Sequence, residues 1–409
     1  MTFRPVPLLF LVVTLIFAAA CARADPEPAA TPPPNGLLLA LSQFEVSPEG
    51  KVLPKPKAAL LEILVPQDGA WKVIPLEDPD SNVFHKAMVF DPGVGGPGIL
   101  TLSGTKAALK LWRKGPQGLV AETIWQEDFG GKFSRMREAE VLTLEDGRPA
   151  LAVATHDQGV VAVVVADGDG WETSVIDRKK NTFVHEIEVG DLDGDGVTEI
   201  YATPSEPNKF DGKPQHGEVV RYIGAQGGSR TVVADLGDRH AKEILVDDVD
   251  GDGKDELYVA VEAVAGGQLE IRRYVAGTDP AAGVVIGRVQ DRLCRFLTAG
   301  DVDGDGHREI VAATHKTGLW LLRPGAQPAS LWQMSSIDRD SSGFEHAALL
   351  ADLDADGVDE LYVASDDQGE VRRYVWKKDR FVKEVLHRRP VPGAVFTWNL
   401  MPVPVDLVP

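Results

Sequence analysis

Val189-Gly-Asp191-Leu-Asp193-Gly-Asp195-Gly-Val197-Thr-Glu199-Ile200 is the stretch whose reading decides this chain. Carboxylates at loop positions 1, 3, 5 and 9 offer a hard cation four charged oxygens, and the backbone carbonyl of position 7 adds a fifth. Glycine at position 6 permits the sharp turn that folds these donors around one point. The same frame returns as Asp248, Asp250, Asp252, Lys254 and Glu256, then as Asp301, Asp303, Asp305, His307 and Glu309. It returns once more as Asp352, Asp354, Asp356, Val358 and Glu360. Calcium suits such loops, because it accepts six to eight oxygens in loose geometry whereas magnesium demands a tight octahedron. The expectation is therefore about four Ca²⁺ per chain, one for each of the four loops.

An EF-hand begins with the same three aspartates, but it runs to a Glu at position 12 and lies between helices. Here the Glu stands at position 9, and the chain goes on as Ile200-Tyr201, Leu257-Tyr258, Ile310-Val311 or Leu361-Tyr362. These β-branched and aromatic pairs are strand formers, as are the approaches Ile187-Glu-Val189 and Ile244-Leu-Val246. Each loop thus joins two strands.

The first aspartates stand at 191, 248, 301 and 352, in steps of 57, 53 and 51 residues. A period near 50 with about four short strands per unit is the mark of a propeller blade. Two degenerate units precede the four: residues 137–147 leading into 150–155, and His85 to Asp91 leading into 99–102. A seventh unit is split. Residues 37–41, 60–65 and 71–76 supply strands but no opening strand, and the tail 395–401 resembles the missing one. The predicted fold is all-β: a seven-bladed β-propeller of four-stranded antiparallel blades, closed where the C-terminal strand joins the first blade. Closure of that kind removes the last exposed sheet edges.

The run 189–200 resembles the core of the FG-GAP or VCBS repeat, as in the integrin α-subunit propeller. The four complete loops carry the resemblance, and the three N-terminal units share only the spacing. The resemblance implies a calcium-stiffened propeller over 36–409 that serves mostly for binding, and it names no ligand.

The chain is 44% hydrophobic, enough for a large core, and the period argues for one closed domain. Its net charge of −20 falls partly on the loops, which hold 16 of the 62 acidic residues, so nucleic acid is not an expected partner. Residues 1–24 read as a bacterial export signal, with Arg4, an apolar run over 8–17 and small residues before Cys21. Two exits stay open: a lipobox that makes Cys21 a lipid-bearing N-terminus, or ordinary cleavage after Ala22-Arg-Ala24. Either places the protein in the periplasm or cell envelope, with 25–35, rich in Pro and Ala, as a tether. Cys294 reads as a small buried hydrophobe.

Six residues before each loop stands a base: His185, Lys242, Arg295 and His346, with Arg137 and His85 in the degenerate units. Each should begin its blade's innermost strand, so the six could ring one channel mouth and attract an anion, either an acidic glycan or a protein carboxylate. The competing reading is a salt-bridged collar with Glu138, Glu186, Glu243 and Glu345. Three histidines in the ring suggest tighter anion binding below about pH 6.5. The segment 206–216 reads as surface decoration or a functional loop. Trp112, Tyr222, Tyr274, Trp320 and Tyr374 read as packing between blades. The basic pairs at 179–180, 272–273, 372–373 and 388–389 read as solvated charge. No catalytic motif stands out, so the first functional reading is a non-catalytic binding or scaffold module. The alternative is a calcium-dependent polysaccharide lyase using His185 or Lys242 with Arg295, and a third is a purely structural assembly partner.

Overall fold

The second strand of every blade is a near-continuous apolar run, as in 37–41, 150–154, 257–261 and 361–364, and all of these residues are buried. A strand that is apolar on both faces must be covered on both, so no blade can be stable as an isolated sheet. The computed structural model, which describes residue 1 and residues 35–130, 134–156, 158–204, 215–224, 229–264, 266–325 and 330–409, meets that demand with a ring. The compact unit spans Pro33–Pro409. Its sheets are seven, six of four antiparallel strands and one of five.

Blades 2 to 7 open on innermost strands Phe84–Phe90, Met136–Thr143, Ile187–Gly190, Ala241–Asp247, Cys294–Gly300 and Ala348–Ala351. Seven apolar clusters separate them, one at each blade interface. Alternation along one strand feeds two of them: Leu37, Leu39 and Leu41 pack toward blade 7, while Leu38 and Ala40 pack toward blade 2. The third-strand aromatics lie where expected. Trp112, Tyr222, Tyr274, Trp320 and Tyr374 each join the cluster between their own blade and the preceding one. Cys294 is buried and unbridged at the start of its strand.

Blade 1 closes the ring as the sequence suggested. Its innermost strand is the C-terminal Val395–Pro404, paired antiparallel to Asn35–Val46, with Ala59–Gln67 and Ala70–Asp78 outside. A short strand, Val52–Pro56, adds a hairpin to the end of Asn35–Val46, which the sequence reading did not anticipate. The closing strand is held at its entry by a buried guanidinium. Arg389 donates to Glu62 Oε2 at 3.0 Å, to Thr397 Oγ1 at 3.1 Å and to Asp366, whose Oδ2 accepts the Thr397 N–H at 2.6 Å. Arg389 is therefore not the solvated charge expected of the 388–389 pair.

Deleting residues 393–409 would expose an unpaired edge and strip cover from two apolar clusters. The truncated chain is expected to elute as aggregate in size-exclusion chromatography and to lose its cooperative melt. A monodisperse monomer with an unchanged Tm would contradict closure by this strand.

Candidate metal loops and channel mouth

Each complete loop is wound around its first aspartate. Asp191 accepts the N–H groups of Gly194 (2.7 Å), Asp195 (3.1 Å) and Gly196 (2.7 Å). Asp248 does the same with Gly251, Asp252 and Gly253 at 2.8–3.0 Å. Asp301 takes Gly304 and Gly306, and Asp352 takes Asp356 and Gly357. The turn needs φ near +90° at position 6, met by Gly196, Gly253, Gly306 and Gly357. In all four loops the position 5 carboxylate accepts the N–H of position 7, that is of Val197, Lys254, His307 and Val358.

These turns draw carboxylate oxygens to within 4.8 Å of one another: Asp191, Asp193 and Asp195; Asp248, Asp250, Asp252 and Glu256; Asp301, Asp303 and Glu309; Asp352, Asp354 and Asp356. The donors are all hard oxygens. Among the described residues the buried Oδ1 atoms of Asp250 and Asp303 have no hydrogen-bond partner, and burial pushes the Glu309 carboxyl up to about 7 even with Arg323 beside it. Buried, under-neutralised oxygens of this kind fit a divalent cation such as calcium.

The sequence reading missed one partner of every loop. A third-strand arginine bridges positions 3 and 9: Arg221 to Asp193 (3.3 Å) and Glu199 (2.7 Å), and Arg323 to Asp303 (2.8 Å) and Glu309 (2.6 Å). Arg273 reaches Asp250 and Glu256, and Arg373 reaches Asp354 and Glu360. Tyr201, Tyr258 and Tyr362 also donate to Glu199, Glu256 and Glu360. The pairs 272–273 and 372–373 are thus built into the fold, since Arg372 is buried against Glu370 as well. The available signal was period: arginines at 221, 273, 323 and 373 keep step with the loops.

Neighbouring loops are also latched. Asp255 Oδ2 accepts the Asp191 N–H at 2.7 Å, and Asp359 Oδ2 accepts the Asp301 N–H at 2.9 Å while its own N–H returns to the Asp301 carbonyl at 2.9 Å. Gly190 and Gly300 make room, since a Cβ on either would meet the latching carboxylate at 2.6 or 2.5 Å. Between blades 5 and 6 the pairing is charged: Arg308 donates to Asp247 at 2.8 Å, and burial lifts Asp247 to about 6.

The six basic residues do come to one end of the innermost strands, five of them buried and Lys242 half-buried. His85 donates from Nδ1 to the Met136 carbonyl (2.6 Å), and His346 from Nδ1 to that of Thr314 (2.7 Å). Burial holds both neutral, well below the usual value for His85 and at about 4 for His346. These two therefore do not supply the expected gain in positive charge below about pH 6.5. His185 packs edge-on to His156 at 5.2 Å. Lys242 lies 3.7 Å from Glu262, Arg295 donates to Glu345 at 2.8 Å, and Arg137 lies 3.8 Å from that same carboxylate. Lys86, not part of the expected ring, pairs with Glu138 at 2.6 Å and with Glu140. Burial and the like charges of Glu138 and Glu243 push the Glu186 carboxyl well up. Cys21 and most of 206–216 lie outside the described residues.

Residues 248–312, from the first Asp of the second loop to the second strand of blade 6, match the FG-GAP-like repeat. The chain carries an FG-GAP repeat. Among solved structures, this FG-GAP-repeat chain is similar in fold to a putative 6-phosphogluconolactonase from Bacteroides fragilis NCTC 9343, with a TM-score of 0.53, 11% identity, and 93% of this chain and 100% of that one covered. It is also similar to a protein from Lactobacillus plantarum, with a TM-score of 0.56, 12% identity, and 90% and 99% covered. At such identities the likeness is one of fold alone. No curated protein matches the sequence.

Asp359→Ala removes the carboxylate that accepts the Asp301 N–H while the returning backbone bond stays, so it is expected to cost about 1–3 kcal/mol. An unchanged urea midpoint would show the latch to be idle. Glu186 gives a pH test. Its raised folded value means that the stability it contributes is full below its unfolded value, near about 4.3, and is lost as pH rises toward the folded value. Glu186→Gln is expected to leave Tm almost unchanged near pH 5 and to raise it at pH 8, at fixed calcium. Equal Tm values at both pH values would contradict this.

Proposed function

We propose that this FG-GAP-repeat propeller is an exported, calcium-binding scaffold, a non-catalytic binding module at the bacterial cell surface or in the periplasm. The observation that carries the reading is the array of four oxygen-rich loops, each converging its own carboxylates and three of the blade junctions joining one loop frame to the next. When bound, calcium would be held by the Asp at positions 1, 3 and 5 of the first, second and fourth loops, joined by Glu256 in the second, and by Asp301, Asp303 and Glu309 in the third. It would supply the charge that lets these carboxylates sit together and stiffen one face of the ring. Outside the cell, loops with dissociation constants of roughly 10⁻⁴ to 10⁻³ M are sufficient. The proposed ligand is an anionic glycan or protein at the channel mouth, and the net charge of −20 makes nucleic acid an unexpected one. The export signal, and a lipid on Cys21, belong to this proposal. No observation favours the lyase alternative, because Arg295 is already committed to Glu345.

Binding restricted to the folded state stabilises it by mass action, about 1.4 kcal/mol per site at tenfold the dissociation constant. EGTA is therefore expected to lower Tm by several degrees, and Asp250→Asn with Asp303→Asn to remove part of that shift. A melt indifferent to EGTA would contradict occupied loops. Release of unsaturated sugar ends from any acidic polysaccharide would contradict the non-catalytic reading.

A further inference from the structure

At the channel mouth two buried arginines from blades on different sides of the ring converge on one carboxylate. Arg295 of blade 6, 7% exposed, donates from Nε to Glu345 Oε2 at 2.8 Å and from Nη2 to the same oxygen. Arg137 of blade 3, 5% exposed, holds Nη2 at 3.8 Å from it. Each guanidinium lies over an aromatic ring, Arg137 over Trp398 at 5.7 Å and Arg295 over Phe344 at 5.8 Å. Phe344 and Trp398 meet edge to face at 6.0 Å.

Glu345 fills this place poorly. Among the described residues its Oε1 has no partner and Nε of Arg137 has no acceptor, while Arg137 Nη2 stands beyond hydrogen-bond reach of Glu345. A third buried atom is unmatched beside them. The Nδ1 of His85 is the protonated nitrogen because it faces the Met136 carbonyl, so Nε2 is a bare acceptor, in a ring edge-on to Trp398 at 4.8 Å. A buried donor and acceptors left unmatched are costly, so a better-fitting ligand has something to gain here. Moreover, Glu345 comes from a connection, not a strand. That connection is pinned at Ser342 to Asp367 (2.8 Å) and at His346, which accepts from Ser341 at 2.8 Å. Between these pins Phe344 is 49% exposed.

We propose that the channel mouth is a binding site for a sugar acid and that Phe344 and Glu345 are its resident stand-in. The ligand carboxylate takes the place of Glu345 between Arg137 and Arg295, where guanidinium forks bind carboxylates in pairs of hydrogen bonds. A ligand hydroxyl donates to His85 Nε2, and the apolar face of the sugar ring lies on Trp398. The hydroxyl and the ring face separate this ligand from an acidic peptide. The inference rests on the binding-module reading and deepens it by naming the ligand class.

The test uses the full chain and two variants, E345A and E345Q, in thermal-shift and calorimetric titrations. Formate or acetate is expected to raise the Tm of E345A while chloride does not, and R295M in the same background should abolish the effect. Glucuronate or galacturonate oligomers should bind E345Q about tenfold more tightly than the unaltered protein, because the internal competitor is gone. If neither acetate nor uronate acts on either variant, the two arginines are only a clamp and the proposal is overturned. Acetate rescue without uronate binding, or an acidic peptide binding as tightly as the uronate, overturns the sugar-acid assignment. None of these readouts needs calcium removal or turnover, so their failure leaves the calcium-scaffold reading to its own chelator test.

Discussion

Every second strand in this chain is apolar on both faces, and that constraint sets the architecture. A blade cannot satisfy it alone, nor can a row of blades, since the row would end on two uncovered faces. Only a closed ring gives each strand two neighbours. The split of blade 1 between the two ends of the described chain follows from this, and so does the care with which the joint is made. Arg389, Glu62, Asp366 and Thr397 form a buried polar lock at the one place where the ring depends on residues more than three hundred positions apart.

Charge is organised around the same frame. The acidic excess of the sequence is not a diffuse surface property, because many carboxylates have fixed partners in loops, latches or the channel. Position 9 of each loop has an arginine, so a metal there would complete a site the protein already half neutralises. In the channel the balance leans the other way: Glu138, Glu140, Glu186, Glu188 and Glu243 face Lys86 and Arg137, and burial pushes Glu186, Glu188 and Glu243 well up. At the mouth Arg137 and Arg295 converge on one carboxylate, Glu345.

How much of this the sequence disclosed depended on distance along the chain. The loops were legible because each is contained in nine residues, and the ring because its period and the missing strand could be counted. Packing by Tyr222, Tyr274 and Tyr374 was legible because they recur in register. The arginines that close each loop were not, since they lie 19 to 28 residues beyond their aspartate partners on a third strand. The six basic residues lie at or just before the starts of the innermost strands, yet the protonation expected of His85 and His346 was misjudged, because their burial follows from the tertiary fold. Nothing local could show that Glu345 reaches Arg137 across the ring.

The central claim is that the four loops are metal sites in the frame of the ring, and calcium stoichiometry tests it most directly. Titrating calcium calorimetrically into chelator-stripped full-length protein is expected to give about four equivalents, in the weak range typical of extracellular loops. A heat-silent titration, or an endpoint at one equivalent, would contradict the claim and leave the turn hydrogen bonds, the latches and the arginine–carboxylate pairs to hold the loops.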